Sequence, residues 1–341
     1  MLSKTIVKAT PEVLALNTAE IYSSHPLLKY LQKSAKNYPT GRLGVSQGMQ
    51  KGEMGGVSTI GANAQQLHDQ RPGQKEVNAL PMLIEKSLSQ ADMVQNGLTD
   101  EAGNPLSEMK ARALMRNACQ RSIEARLEHA IAEQGSLGTI TQVAGVDAID
   151  PGVDMNVTGH TILTTVAVSW LAAGSDVYGD LAGILDTLNE NGIDEVIAFY
   201  NNTTGKTIRT AITGDWGAMD EGIKSDLMYG RPGQVPRGWQ GLDWQKHAGR
   251  WGKISGTPLV HAGLPFLTDN VIYFMPRDSR KAWVLARVVD PSTGRVGYGV
   301  NSGGGVKSGE KKPYKYWEQI SYYGIPILVN PMCVKALKII P

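Results

Sequence analysis

Residues 107–134 contain neither Gly nor Pro, and no other stretch constrains the fold as much. Asn104-Pro105-Leu106-Ser107 is a helix-start signal, with Ser107 as the N-cap and Glu108 in the first turn. Gly135 is the expected stop. Met109, Ala113, Leu114, Ala118, Ile123, Leu127, Ala130 and Ile131 mark one broad apolar face, and Glu133 is read as exposed. Glu108 and Arg112 form an i,i+4 pair in the favourable order. At 1.5 Å per residue the run is a rod of roughly 40 Å. Such a rod suits a structural spine better than a compact catalytic domain.

The segments ahead of this rod hold little apolar sequence. Pro11 opens a helix with Val13, Leu14, Leu16, Ala19, Ile21 and Tyr22 on one side, and Leu27, Leu28, Tyr30 and Leu31 continue the pattern past Pro26. Residues 37–62 carry Gly41, Gly44, Gly48, Gly52, Gly55, Gly56 and Gly61 and read as an extended arm or loop. Residues 63–95 read as a long polar hairpin turning at Pro72-Gly73, with Arg71 and Lys75 beside the tip. A lone hairpin of that kind is unstable and needs a surface to lie on.

Behind the rod, Thr161–Val168 reads as a strand and Val177–Asn191 as a helix capped by Ser175 or Asp176. Leu181, Ile184, Leu185 and Leu188 face inward there. Ile193–Tyr200 is an apolar strand, Asn201–Gly205 a turn, and residues 229–241 an exposed Gly/Pro-rich loop. Val271–Met275 and Trp283–Val289 are strands separated by Pro276. The chain closes with an aromatic-rich strand from Tyr316, a Gly324-Ile325-Pro326 step, an apolar strand stopped by Asn330-Pro331, and a last strand near Val334–Ile340. This order is α+β and lacks the regular alternation of a doubly wound sheet.

With 341 residues, 41% hydrophobic and 19% charged, the chain can bury a large core. A net charge of +2 gives no case for whole-molecule nucleic-acid binding. The charge is uneven, however. Residues 1–50 hold six Lys/Arg against two acids, residues 171–230 ten acids against three, and residues 301–341 six Lys against two Glu. Basic ends around an acidic middle can pair between neighbouring copies or face DNA. Cys119 and Cys333 are the only cysteines and form no CxxC, which implies a reduced compartment. No signal-peptide pattern opens the chain and no apolar run reaches membrane-spanning length, so a soluble protein made in a cytoplasm is expected.

Chemistry-bearing motifs are sparse, and no catalytic, cofactor-binding or metal residue is assigned. Gly299–Ser308 resembles a phosphate loop, but Val306 separates Gly305 from Lys307 and Ser308, and no apolar helix follows. A loop is the expectation there. His25, His68, His129, His160, His247 and His261 lack ligand spacing, with His129 on the helix's polar side. Asp147, Asp150 and Asp154 could crowd a cation in a metal-dependent hydrolase, though Pro151-Gly152 makes them turn residues. No Gly-x-Ser-x-Gly occurs, and Cys119 lies mid-helix.

The order of these elements resembles the major capsid proteins of tailed phages, the Hong Kong 97 fold, and the lambda-like coat proteins among them. The likeness is carried by Trp170 followed by Ser175–Leu181 (with Val177 where the family usually has Pro), by Asn270–Pro276, and by the closing segment 316–331. The resemblance implies an N-terminal arm over 1–45, an extended-loop hairpin over 46–100, and a peripheral domain with a spine helix over 101–170. It further implies an axial domain over 171–305 and a C-terminal return to the peripheral domain over 306–341. The implied role is non-enzymatic: pentamers and hexamers closing an icosahedral virion capsid around double-stranded DNA, assembled in the host cytoplasm. The implied partners are further copies of the chain, a separate scaffolding protein, a portal protein, a decoration or cement protein, and the packaged DNA, with no membrane and no cofactor. An encapsulin-like shell shares the fold and is the nearest alternative.

Overall fold

A computed structural model describes residues 25–40, 42–46, 74–78, 82–89, 108–137, 161–214, 221–231, 233–251, 254–255, 260–261, 264–289, 294, 296–304 and 315–341. The expected Pro11 helix, the Pro72-Gly73 tip, Asp147, Asp150, Asp154, Lys307 and Ser308 lie outside these residues. In chain order the elements begin with α1 (Pro26–Leu31), β1 (Ala35–Tyr38), β2 (Arg42–Ser46), β3 (Gln74–Asn78), β4 (Met82–Ser89) and α2 (Glu108–Leu137). Next come β5 (Leu163–Thr165), α3 (Val177–Glu190), β6 (Val196–Tyr200), α4 (Asn202–Thr213), α5 (Glu221–Tyr229) and β7 (Asp243–Lys246). Four two-residue strands follow: β8 (Arg250–Trp251), β9 (Ile254–Ser255), β10 (Val260–His261) and β11 (Leu264–Pro265). The chain ends with β12 (Val271–Pro276), β13 (Trp283–Val288), β14 (Gly297–Gly304), β15 (Lys315–Leu328) and β16 (Lys335–Lys338).

Two five-stranded sheets carry the core. The first is organised on β15, a single strand of 14 residues where the sequence suggests two. β4 and β14 pair antiparallel with its first half, β13 with its second, and β1 lies parallel on β13. The Gly-Ile-Pro step does not break β15, because Gly324 packs within 2.6 Å (measured to a built Cβ) of the Ala286 carbonyl, where no side chain fits. The second sheet runs β5-β16-β12-β6-β7, with β5–β16 and β6–β7 parallel and β12 antiparallel to both neighbours. Every residue of β12 is buried, as expected of a central strand. Two short stretches, 276–283 and 328–335, carry the chain directly from one sheet to the other. The two crossings are fastened together, since Val329 and Asn330 both donate their N–H to the Ala282 carbonyl.

The long helix is present and runs two residues beyond Gly135, its expected stop. Gly135 is interior to α2: a Cβ there would lie 2.8 Å from the Met275 methyl and 3.6 Å from the Tyr273 ring. It is a close-approach glycine, not a cap. The buried stripe runs Met115, Cys119, Ile123, Leu127, Ala130, Ile131. Leu114, expected on that face, is 53% exposed; it sits one residue off the stripe, about 100° around the helix from Met115. Glu133 and His129, expected on the polar side, are half-buried.

The polar hairpin is paired differently from the sequence expectation. β3 pairs with β2, and β4 is absorbed into the first sheet beside β15. Residues 201–205 are not a free turn. Asn201 Oδ1 accepts from the Thr204 N–H at 2.8 Å and caps α4, while its amide donates to the Leu267 carbonyl and Asp269. Gly205 leaves no room for a side chain, because a Cβ would meet the Gly233 carbonyl. Segment 229–241 is exposed at Tyr229, Arg231, Arg237 and Gln240, as expected of a loop, but it is pinned by buried Val235 and by Trp239, which stacks on Trp244 at 5.3 Å. Residues 297–304 of the near-miss phosphate motif form β14, so the Gly-rich run is ladder and not loop up to Gly304.

Leu127→Asp places an unpaired charge at a site 1% exposed and is expected to cost about 3–5 kcal/mol or prevent folding. Leu114→Asp is expected to change the melting of the unassembled chain by no more than about 0.5 kcal/mol. Equal loss of soluble yield at both positions contradicts this helix orientation.

Candidate functional site

The sequence assigns no catalytic constellation, and the described residues bring none of its weak candidates together. Cys119 and Cys333 are buried free thiols. Burial raises both, Cys333 up to about 11, so neither is a poised nucleophile. His129 is pushed down by burial, against an opposing pull from Glu133. The arrangement of interest is mechanical instead: three buried polar anchors hold α2 against the rest of the molecule.

The first anchor lies toward the start of α2. Arg112 and Arg116, one turn apart, converge on Glu318 of β15, with N···O distances of 3.0 and 2.7 Å. The Glu318 side chain is fully buried. Burial opposes its ionisation, but the hydrogen bonds and charges of Arg116 and Arg112 outweigh it, and the net shift is downward. A strand residue thus meets two arginines of a helix about 200 positions away.

The second anchor is Glu128, at the middle of the buried stripe. Its two oxygens accept the N–H groups of Leu27 and Leu28, at 2.9 and 2.7 Å. These are first-turn amides of α1, whose own N-cap, His25, makes no side-chain capping bond. Glu128 therefore caps α1 from another element. Its Oε1 also lies 2.7 Å from His247 Nε2. His247 Nδ1 accepts the Gly249 N–H, which assigns the ring proton to Nε2, donating to Glu128. One carboxylate joins the N-terminal segment, the long helix and the chain just after β7. No local signal marks it, because Glu128 lies in an ordinary helical run and its partners are 100 or more residues away.

The third anchor is Gln134. Its amide donates to the Pro326 carbonyl at 2.8 Å and its oxygen accepts the Leu328 N–H at 3.0 Å. Alternate residues of an antiparallel strand direct their backbone groups to opposite sides. Pro326 and Leu328 thus share one edge, where β4 does not reach, and Gln134 stands in for a neighbouring strand. A proline is tolerated there because that edge needs no N–H at position 326.

Among the described residues no cluster of His, Cys, Asp and Glu could hold a metal ion, and no helix is long and apolar enough to cross a membrane. Neither a protein-family model nor a curated protein sequence matches the chain. Solved structures do. The chain is similar to the putative capsid protein of a prophage from E. coli CFT073, at 10% identity over 92% of each chain with a TM-score of 0.53. It is similar to the capsid protein of a native GTA particle, at 12% identity over 93% of this chain and 91% of that one, TM-score 0.52. It is also similar to the SrpI encapsulin of Synechococcus elongatus PCC 7942, at 12% identity over 92% and 88%, TM-score 0.50. The fold is therefore the α+β Hong Kong 97 fold of tailed-phage capsid proteins.

Glu128→Leu is expected to cost about 3–5 kcal/mol, because three buried donors lose their acceptor. Glu124→Gln, one turn away and partly exposed, is expected to be near neutral. Glu318 makes the acid limb testable. Its folded-state pKa is depressed, so its contribution is full above the ordinary glutamate range and is lost as pH falls through the folded value. The stability gap between the wild type and Glu318→Gln, measured by denaturant titration, is expected to shrink below about pH 4. A gap that widens in acid contradicts the anchor.

Proposed function

We propose that this chain is a major capsid protein, many copies of which self-assemble into pentamers and hexamers of an icosahedral phage head enclosing double-stranded DNA. The observation that carries the proposal is the fold, shared over about nine-tenths of the chain with proteins that are themselves capsid or encapsulin subunits. In this reading α2 is the spine of a peripheral domain built on β15. The sheet of β5, β16, β12, β6 and β7 belongs to the axial domain, and the β2–β3 ribbon is the base of the extended loop. The chain has no enzymatic role. Its partners are further copies, a separate scaffolding protein, a portal, a decoration protein and the packaged DNA, in a virion assembled in the host cytoplasm.

The encapsulin neighbour supports a second reading, a cellular shell loaded with protein cargo. Expression with candidate scaffold, followed by negative-stain microscopy, tests both. Closed shells are expected, and particles recovered from phage-producing cells are expected to contain DNA. Protein cargo without DNA favours the second reading. Sedimentation as a compact monomer at high concentration, with or without scaffold, overturns both.

A further inference from the structure

Two surface regions of the second sheet's helices are electrostatically unfavourable within the single chain. Residues 171–205 contain six acids and no Lys or Arg. Three of the six have local duties: Asp176 caps α3, Asp180 accepts the Trp170 indole N–H, and Glu195 pairs with Arg277. Asp186, Glu190 and Asp194 do not. They are exposed, and among the described residues none is in an ion pair. Asp186 and Glu190 stand one turn apart, an i,i+4 like-charge pair, toward the C-terminal end of α3, where the helix dipole disfavours anions; its own last turn holds no basic residue, and Lys281 Nζ, which donates to the Gly192 carbonyl beyond it, pairs with neither. Nothing in the packing of α3 calls for carboxylates there, since its inward face is Val177, Leu181, Ile184 and Leu188.

The opposite imbalance surrounds the end of β7, an edge strand. Lys246 pairs with Tyr200 across β6 and β7, two residues before α4, which carries Lys206, and Arg209 of α4 holds the Arg231 carbonyl at 3.4 Å, so Lys206 and Arg231 both lie on the side of Lys246, whose ammonium is pushed down by burial and then by their charges. Lys206 and Arg231 are exposed and lack ion-pair partners among the described residues. The adjoining tip is rigid. The Arg209 guanidinium donates to the carbonyls of Asp226, Leu227, Arg231 and Gln234, and so fixes the turn that follows α5. Met228 and Tyr229, the last two residues of α5, stand out just before that turn at 66% and 86% exposure. An exposed Tyr beside an exposed Met, two residues before Arg231, has the composition of an interface anchor.

We propose that the Lys206–Arg231–Lys246 cluster and the Met228–Tyr229 tip of one copy dock on the Asp186–Glu190–Asp194 face of α3 in a second copy of this chain. The inference rests on the shell reading and specifies a contact within it. The contact joins unlike surfaces, so it repeats head to tail and closes a ring when the rotation permits. Each surface supplies the charge that the other lacks, and the apolar tip gains burial that its own chain does not provide.

Charge reversal tests it. Lys206→Glu/Arg231→Glu and Asp186→Lys/Glu190→Lys are each expected to raise the protein concentration needed for assembly by about tenfold or more, with the circular-dichroism melt of the unassembled chain unchanged. The fourfold variant carrying all four reversals is expected to assemble again, and a 1:1 mixture of the two double variants, in which favourable contacts require alternation, is expected to recover even-membered rings. Assembly of both double variants at the wild-type threshold overturns the contact and leaves the shell reading intact. Failure of the mixture and of the fourfold variant to recover also overturns it. So does loss of DNA retention in Lys206→Glu/Arg231→Glu shells that form normally, which assigns the cations to nucleic acid. A wild-type chain that never assembles removes both the contact and the shell reading.

Discussion

The union of one long helix with one long strand governs the rest of the molecule. α2 and β15 are both too extended to be stabilised by local sequence alone, and each supplies the surface that the other must cover. Apolar packing along Met115, Cys119, Ile123, Leu127 and Ile131 drives the union but leaves the helix free to slide or rotate by small steps. The polar anchors remove that freedom. Arg112 and Arg116 on Glu318 fix the register near one end, and Gln134 on Pro326 and Leu328 fixes it near the other. Buried ionic and amide groups of this kind add specificity more than net stability, because desolvation offsets much of their attraction.

Glu128 extends the same logic to the N-terminal segment. α1 has six residues, far too short to persist alone, and its own cap residue does not cap it. Its existence depends on a carboxylate from α2, on the burial of Leu27 and Leu31, and on β1, which joins the first sheet. The crossings at 276–283 and 328–335 do a comparable job between the sheets, since the Ala282 carbonyl holds the second crossing against the first.

The sequence was most legible where local chemistry and packing agree. α2, α3 with its Asp176 cap, β12 and β13 are close to their expected bounds because an apolar period, a cap and a flanking breaker all point the same way. It was least legible where a residue has a tertiary duty. Gly135 reads as a stop and is a contact with Met275; Asn201 reads as a turn and is a cap that also clamps Leu267 and Asp269. Leu114 reads as core and faces outward, a one-residue error that a broad apolar face cannot resolve. The anchors themselves could not be read at all. Glu128, Gln134 and Glu318 are unremarkable in their own segments, and their meaning lies in partners far along the chain.

The position of Gln134 bears on how such a chain avoids pairing with itself. Any chain with a bare ladder risks strand addition by another copy, in the wrong register and without closure. The second half of β15 would be such a ladder, apolar and several residues long, with β13 on one side only. Gln134 occupies its carbonyl and amide hydrogens from within the same chain, and Pro326 removes a donor from that edge. The helix side chain thereby acts as a guard against misassociation, closing from within the chain an edge that would otherwise template aggregates.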